Sequence, residues 1–262
     1  MILDDAAPKA DTIAPRRTTA LVVAGLIGLS LAVSGCAAPS VTSEVYDPFE
    51  PANRSVHALN KGFDTAILRP VATTLIDDGK GPVTKGIANF ADNLELPGRV
   101  VNNVLQFRLG KAVENTLRFA INTVVGVGGV FDPATLVGVT GKKTDFGETL
   151  HVWGVGEGPY VELPGFGPSN ARDAVGTVVD FAFDPLQLVV PSPERYVGTM
   201  AKVLSKIGDR GRYSETVDSI LYDSADSYAQ ARILYLQNRR YDLGQTTADA
   251  DFVDPYEDPY GQ

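Results

Sequence analysis

Apolar side chains recur along this chain at spacings of three and four residues, the repeat of one face of a helix. Val56, Leu59, Phe63 and Ile67 form the first such face, with Pro51 suited to a helix first turn and Glu50 beside its positive end. Arg69-Pro70 is expected to end that helix. A second helix opens at Pro82 with Val83, Ile87, Phe90 and Leu94, and a third at Pro97 with Val100, Val101, Val104 and Leu105. The cleanest stripe is Leu109, Ala112, Val113, Thr116, Leu117, Ala120, Ile121 and Val124, and it runs into Gly126, Gly128 and Gly129. Asp132-Pro133 reads as an N-cap and first turn, and Asp145 and Glu148 have capping-box spacing. Residues 154 to 168 are rich in Gly and Pro and read as a loop with a brief extended piece from Tyr160 to Leu163. Ser169 or Asn170 caps a helix carrying Ala171, Ala174, Val175, Val178, Val179 and Ala182. Ser192-Pro193 starts another with Tyr196, Val197, Met200, Val203, Leu204 and Ile207, and residues 213 to 239 read as one or two more. No strand-rich region is visible, so the fold class is mainly α.

The first 35 residues have a different pattern. A polar stretch ends in Arg16-Arg17, and Ala20 to Val33 is an uncharged apolar run followed by Ser34-Gly35-Cys36. That is the layout of a secretory signal, and the run is shorter than the roughly 20 residues of a membrane span. The only cysteine of the 262 residues stands at the expected cut. VSGC resembles the bacterial lipobox, which makes Cys36 the lipidated first residue of the mature chain; the competing reading is a short anchor with an incidental cysteine. Residues 36 to 46 then read as a tether and 47 to 240 as the helical domain. Residues 241 to 262 form an acidic tail expected to lack fixed structure.

Composition removes several functions. The formal charge is −9, which disfavours nucleic acid as a partner. One cysteine and two histidines leave no multi-histidine or cysteine-rich metal site, and no cofactor is implied. None of the nucleophile-elbow, phosphate-loop or HExxH patterns occurs. His57 and His151 lack a partner motif and read as surface or core histidines, so no catalytic residue is assigned.

The runs at 47–72, 86–106, 118–134 and 145–173 carry a resemblance. DPFEPANRSVHALNKGFDTAILRPVA, GIANFADNLELPGRVVNNVLQ, RFAINTVVGVGGVFDPA and DFGETLHVWGVGEGPYVELPGFGPSNARD together resemble the MlaA (VacJ) lipoprotein family. The resemblance implies a ring of short amphipathic helices lying in the inner leaflet of the outer membrane, on its periplasmic face, anchored through Cys36. It also implies a trimeric porin beside the ring, and an amphipathic channel through which phospholipid from the outer leaflet reaches a soluble periplasmic carrier. The alternative is a structural lipoprotein that accompanies a porin and moves no lipid.

The residues leave parts of this open. Amphipathic helices suit either an ordinary core or an interface. Asn89, Asn93, Asn102, Asn103, Asn115 and Asn122 are candidates to line a channel, against a reading as caps and interhelical bonds. Gly126, Gly128 and Gly129 suit a hinge or gate as well as a helix cap. Trp153 and Tyr160 suit the headgroup level of a membrane as well as packing under the Gly-rich loop.

Overall fold

The computed structural model describes residues 45–75, 81–185, 190–191 and 195–245. The signal segment, Cys36, nearly all of the tether and the tail from 246 onward lie outside the described residues.

Ten α-helices and one hairpin make up the described chain. They are α1 (Glu50–Phe63), α2 (Arg69–Leu75), α3 (Pro82–Leu105), α4 (Leu109–Val124), α5 (Pro133–Leu136), α6 (Phe146–Val152), β1 (Tyr160–Leu163), β2 (Gly167–Asn170), α7 (Ala171–Ala182), α8 (Arg195–Arg212), α9 (Ser214–Asp218) and α10 (Ser227–Asp242). α3 packs along α4 and α8, and α6 packs on α7. β1 and β2 pair antiparallel with Tyr160 opposite Asn170 and Leu163 opposite Gly167, the extended piece expected from the sequence having found a partner strand.

Caps fall where local chemistry puts them. Asp132, Asp145 and Asn170 each accept the backbone N–H three residues on, from Thr135, Glu148 and Asp173. Asp226 does the same for α10 by accepting from Ala229.

Two prolines do not stop helices as expected. Pro97 lies inside α3, so the second and third helices of the sequence reading are one helix of 24 residues. Pro97 has no N–H for the carbonyl four residues back, and the helix continues across that gap while packing against α4 and α8. Arg69-Pro70 does not end the first helix either. Residues Asp64–Leu68 form a π-helical turn in which the Arg69 N–H reaches the Asp64 carbonyl, five residues back. The wider turn places Pro70 in the first turn of α2, where a missing N–H costs nothing.

A second π-helical turn, Ser219–Asp223, faces the first. Arg210 from α8 grips both oxygens of buried Asp64 at 2.7 and 2.9 Å and donates to Asp218, while Tyr222 donates to Asp64 at 2.8 Å. The π-helical turn between α1 and α2 is thereby held by an ion pair and a tyrosine hydroxyl.

Candidate functional site: a polar interior behind an apolar exterior

The burial pattern of the described residues is inverted relative to a water-soluble domain. Nine apolar residues are buried, five of them alanine, against nineteen polar or charged ones, while thirty-four large apolar side chains are exposed. α4 shows it best. Leu109 is 61% and Val124 81% exposed, with Val113 and Leu117 between them on the outside, whereas Asn115 is 1% exposed and Ala112 and Asn122 are buried beside it. Leu109, Val113, Leu117 and Val124 of the apolar stripe at 109–124 therefore face out, while its Ala112 is buried. The same holds for Val101 and Val104 of α3 and for Tyr196, Val197, Met200 and Val203 of α8.

The interior is a set of charge-assisted networks. In one, Asp180 accepts from Asn102 Nδ2 at 2.9 Å and from the Phe146 N–H at 2.8 Å. Thr149 donates to Asn102 at 2.8 Å, and Gln106 donates to both Thr149 and Thr144. Beyond it Glu148 is buried between Arg108 and Lys142. Burial alone raises the Glu148 pKa, but the hydrogen bonds from Arg108, Lys142 and Thr144 outweigh it and hold the carboxyl below its usual value. Burial wins at Asp180, whose pKa is raised despite the Phe146 and Asn102 donors.

A second network centres on Arg239 of α10. It spans Asp145 at 2.7 and 2.9 Å and Asp173 at 2.8 and 3.1 Å, and Tyr235 also donates to Asp173 at 2.7 Å. These residues line a cavity of about 320 Å³ whose apolar side is Leu163, Phe166 and Pro168.

The third network docks α1 against the hairpin. Asn53, His57 and Asn60 share one helix face and meet the edge of β1. Asn53 donates to the Tyr160 carbonyl at 3.1 Å and accepts from the Glu162 N–H at 3.0 Å. Asn60 brackets Leu163 and Gly165 at 3.0 and 2.7 Å. His57 joins Glu162 at 3.3 Å to Ser227 at 3.0 Å and meets Tyr228 edge-on. The order serine, histidine, glutamate is that of an acyl-transfer triad, but His57 and Glu162 are buried and brace three elements: α1, β1 and α10. His151 lies elsewhere, 3.5 Å from Arg172. Sequence reading missed this face, although the polar residues at i, i+4 and i+7 of α1 were a visible stripe beside the apolar one.

The residues singled out from the sequence fall into three groups. Asn93, Asn102, Asn103, Asn115 and Asn122 are buried and Asn89 is half-buried. Their amides bond across the bundle: Asn89 to the Val130 carbonyl, Asn93 to Thr123 and Gly128, Asn115 to the Lys142 carbonyl, and Asn122 to Asp132 and the Ala134 N–H. Asn103 bonds back to the Arg99 carbonyl within α3. Gly126, Gly128 and Gly129 form the turn after α4. A Cβ on Gly126 would overlap the carbonyls of Asn122 and Phe131, and one on Gly129 would lie 2.5 Å from Asn93. Gly128 has φ +71° and open space beside it. Trp153 is exposed, its indole N–H on the Leu105 carbonyl at 3.1 Å. Tyr160 is a correction. It is 1% exposed, packed with Tyr228 and Leu236, and its hydroxyl donates to Glu162, so it is a core residue and not an interfacial aromatic. The hairpin that fixes its alternate side chains turns it inward.

No helix among the described residues is long and apolar enough to cross a membrane, and no cluster of three metal-ligating side chains occurs among them. The profile of the MlaA lipoprotein family matches residues 45–242. This chain belongs to the MlaA lipoprotein family. The Escherichia coli intermembrane phospholipid transport system lipoprotein MlaA is 34% identical over 241 residues, 90% of this chain and 92% of that protein. A Rickettsia felis protein of uncharacterised function is 37% identical over 190 residues, 72% of this chain and 74% of its own length. A solved structure described as the structural basis for maintenance of bacterial outer membrane lipid asymmetry superposes with a TM-score of 0.64 at 32% identity, covering 75% of this chain and 98% of that one. Family membership accounts for the order of the four sequence runs and for the mainly helical architecture.

Proposed function

We propose that this chain is an outer-membrane lipoprotein that removes phospholipid from the outer leaflet and passes it to a soluble periplasmic carrier, maintaining lipid asymmetry. The observation that carries the reading is the inverted burial. A bundle with its polar groups inside and thirty-four large apolar side chains outside suits a solvent of acyl chains rather than water. The name of the E. coli relative supports phospholipid as the cargo.

The helices are too polar on their inner faces to span a bilayer, so the body sits within one leaflet, about 15 Å deep. Cys36, acylated, tethers it there. A trimeric porin covers part of the apolar rim. The buried asparagines act chiefly as fasteners of the wall, and half-buried Asn89 is the member of the set most open to a headgroup. The chain itself carries no phosphate-binding loop for a nucleotide, so the transfer it performs is passive.

Outer-leaflet phospholipid in cells lacking the gene tests this, read with an acyltransferase or phospholipase confined to that leaflet. The expected result is a rise, reversed by the wild-type gene and not by Cys36→Ser. No rise would move the assignment to a structural lipoprotein that accompanies a porin.

A further inference from the structure

Asn89 and Asn93 stand one helical turn apart on α3, and both donate to the glycine turn that follows α4. Asn89 Nδ2 donates to the Val130 carbonyl at 3.1 Å. Asn93 Nδ2 donates to the Gly128 carbonyl at 3.2 Å and to Thr123 Oγ1 at 3.1 Å. A Cβ on Gly86 would lie 3.2 Å from Val130 Cγ1, so the turn runs along the Gly86, Asn89 and Asn93 face of α3. The base of the turn is held by α4 itself: Arg118 and Asn122 bond Asp132, and the Phe131 N–H reaches the Gly126 carbonyl at 2.9 Å. The tip meets α3 through two side-chain amides, and its Gly128 N–H bonds the Thr123 carbonyl of α4 at 2.9 Å.

Val127 marks the tip as held away from a relaxed state: it has φ +54°, a left-handed backbone that a β-branched residue rarely adopts, and its side chain is exposed.

We propose that Asn89 and Asn93 form a binding site for the phosphodiester of a phospholipid, and that the Gly128 and Val130 carbonyls occupy this site in the resting chain. A phosphate oxygen accepts from the same two amides as a carbonyl does, and its negative charge makes the bond stronger. Entry of the phosphate displaces the tip, and Val127 gives up its left-handed conformation. The inference rests on the lipid-transport reading and names the residues at which the headgroup is recognised.

Hydrogen exchange across residues 125–131 of the full-length protein in dodecyl maltoside tests it. Dihexanoylphosphatidylcholine is the probe, and dihexanoylglycerol, the same acyl groups without phosphate, is the control. The phospholipid should speed exchange of the Gly129 and Val130 amides, whose bonds to the Gly126 and Val127 carbonyls close the tip, roughly tenfold, and the diglyceride should not. Asn93→Asp keeps the shape and loses the donating amide. It should speed exchange without lipid and abolish the response. Asn89→Ala, at a half-buried position that tolerates truncation, should weaken the response and leave the fold intact. No response in the wild type, an equal response to both probes, or a full response in both variants overturns the proposal. Failure of the transport reading would look different: outer-leaflet phospholipid would stay normal in cells lacking the gene, whatever the probe does.

Discussion

Gly147 and Gly176 bring α6 and α7 together backbone against backbone: a Cβ on Gly176 would overlap the amide nitrogen and Cα of Gly147. The contact also sets the spacing of Asp145 and Asp173, which flank it and share Arg239. Gly176→Ala should therefore lower stability by about 3 kcal/mol or more, since neither backbone can yield as a flexible side chain would. Thermal unfolding in detergent checks this. A loss under 1 kcal/mol would mean the helices slide apart freely.

Removing Arg239 leaves Asp173 buried with Arg172 as its remaining ionic partner. Arg239→Met should cost about 3 kcal/mol, the range for breaking a buried pair from one side. Arg54→Met, which breaks the exposed pairs with Glu50 and Asp226, should cost much less. Chemical unfolding of both variants side by side separates the two cases, and equal losses would contradict the burial argument.

Acid should destabilise the fold through Glu148 and Asp173. Burial raises both pKa values, but the donors around them, Arg108 and Lys142 for Glu148 and Arg239 and Arg172 for Asp173, bring each below its ordinary value of 4.5 or 3.8. A carboxylate depressed in the fold contributes stability above its unfolded pKa and loses it as pH falls through the folded one. Asp180 has the opposite sign: its raised pKa makes the charged form a cost at neutral pH, relieved on protonation. Stability should thus decline below about pH 4.5, and Asp180→Asn, which removes the group relieved by protonation, should steepen that decline. Urea midpoints from pH 3 to 8 are the measurement.

The two faces of α4 make opposite predictions. Leu117→Lys places a charge on the exposed apolar side. It should leave the detergent-solubilised fold intact and weaken residence in the leaflet by about 2.5–3.5 kcal/mol, the insertion cost of a charge at depth. Asn115→Leu should do the reverse, because Asn115 is buried and bonds the Lys142 carbonyl. Membrane fractionation and unfolding of each variant decide it; if Leu117→Lys unfolds the protein in detergent, the outward assignment of the stripe is wrong.

Glycine positions in one turn should also separate. Gly128→Ala meets open space and carries only the cost of φ +71°, about 1 kcal/mol. Gly129→Ala adds an overlap with Asn93 at 2.5 Å and φ +99°, and should cost more than Gly128→Ala by at least 1 kcal/mol. Paired unfolding curves test the order.

Short-range chemistry was legible in the chain. Asp132, Asp145 and Asn170 announced their helices because a cap is a bond spanning three residues, and Tyr160 to Leu163 announced its extended segment. Pro97 and Pro70 misled, because whether a proline breaks a helix depends on what packs against the gap and on whether a π turn re-registers it. The site was less visible still. Asp145, Asp173 and Arg239 are brought together from distant segments, and nothing local to any of them predicts the others.

The sequence by itself determined which stretches are helical, though not every boundary between them, that the helices have two unlike faces, and, through its ordered motifs, to which family the chain belongs. It did not determine which face points inward. Periodicity measures the contrast between faces and carries no sign, so the sequence alone favoured reading the stripe from Leu109 to Val124 as a core, the ordinary reading for an amphipathic helix. Tertiary structure decided it: Asn115 and Asn122 found partners on neighbouring segments, Arg210 and Arg239 found carboxylates, and once the polar groups were satisfied by one another the apolar side chains were left facing outward.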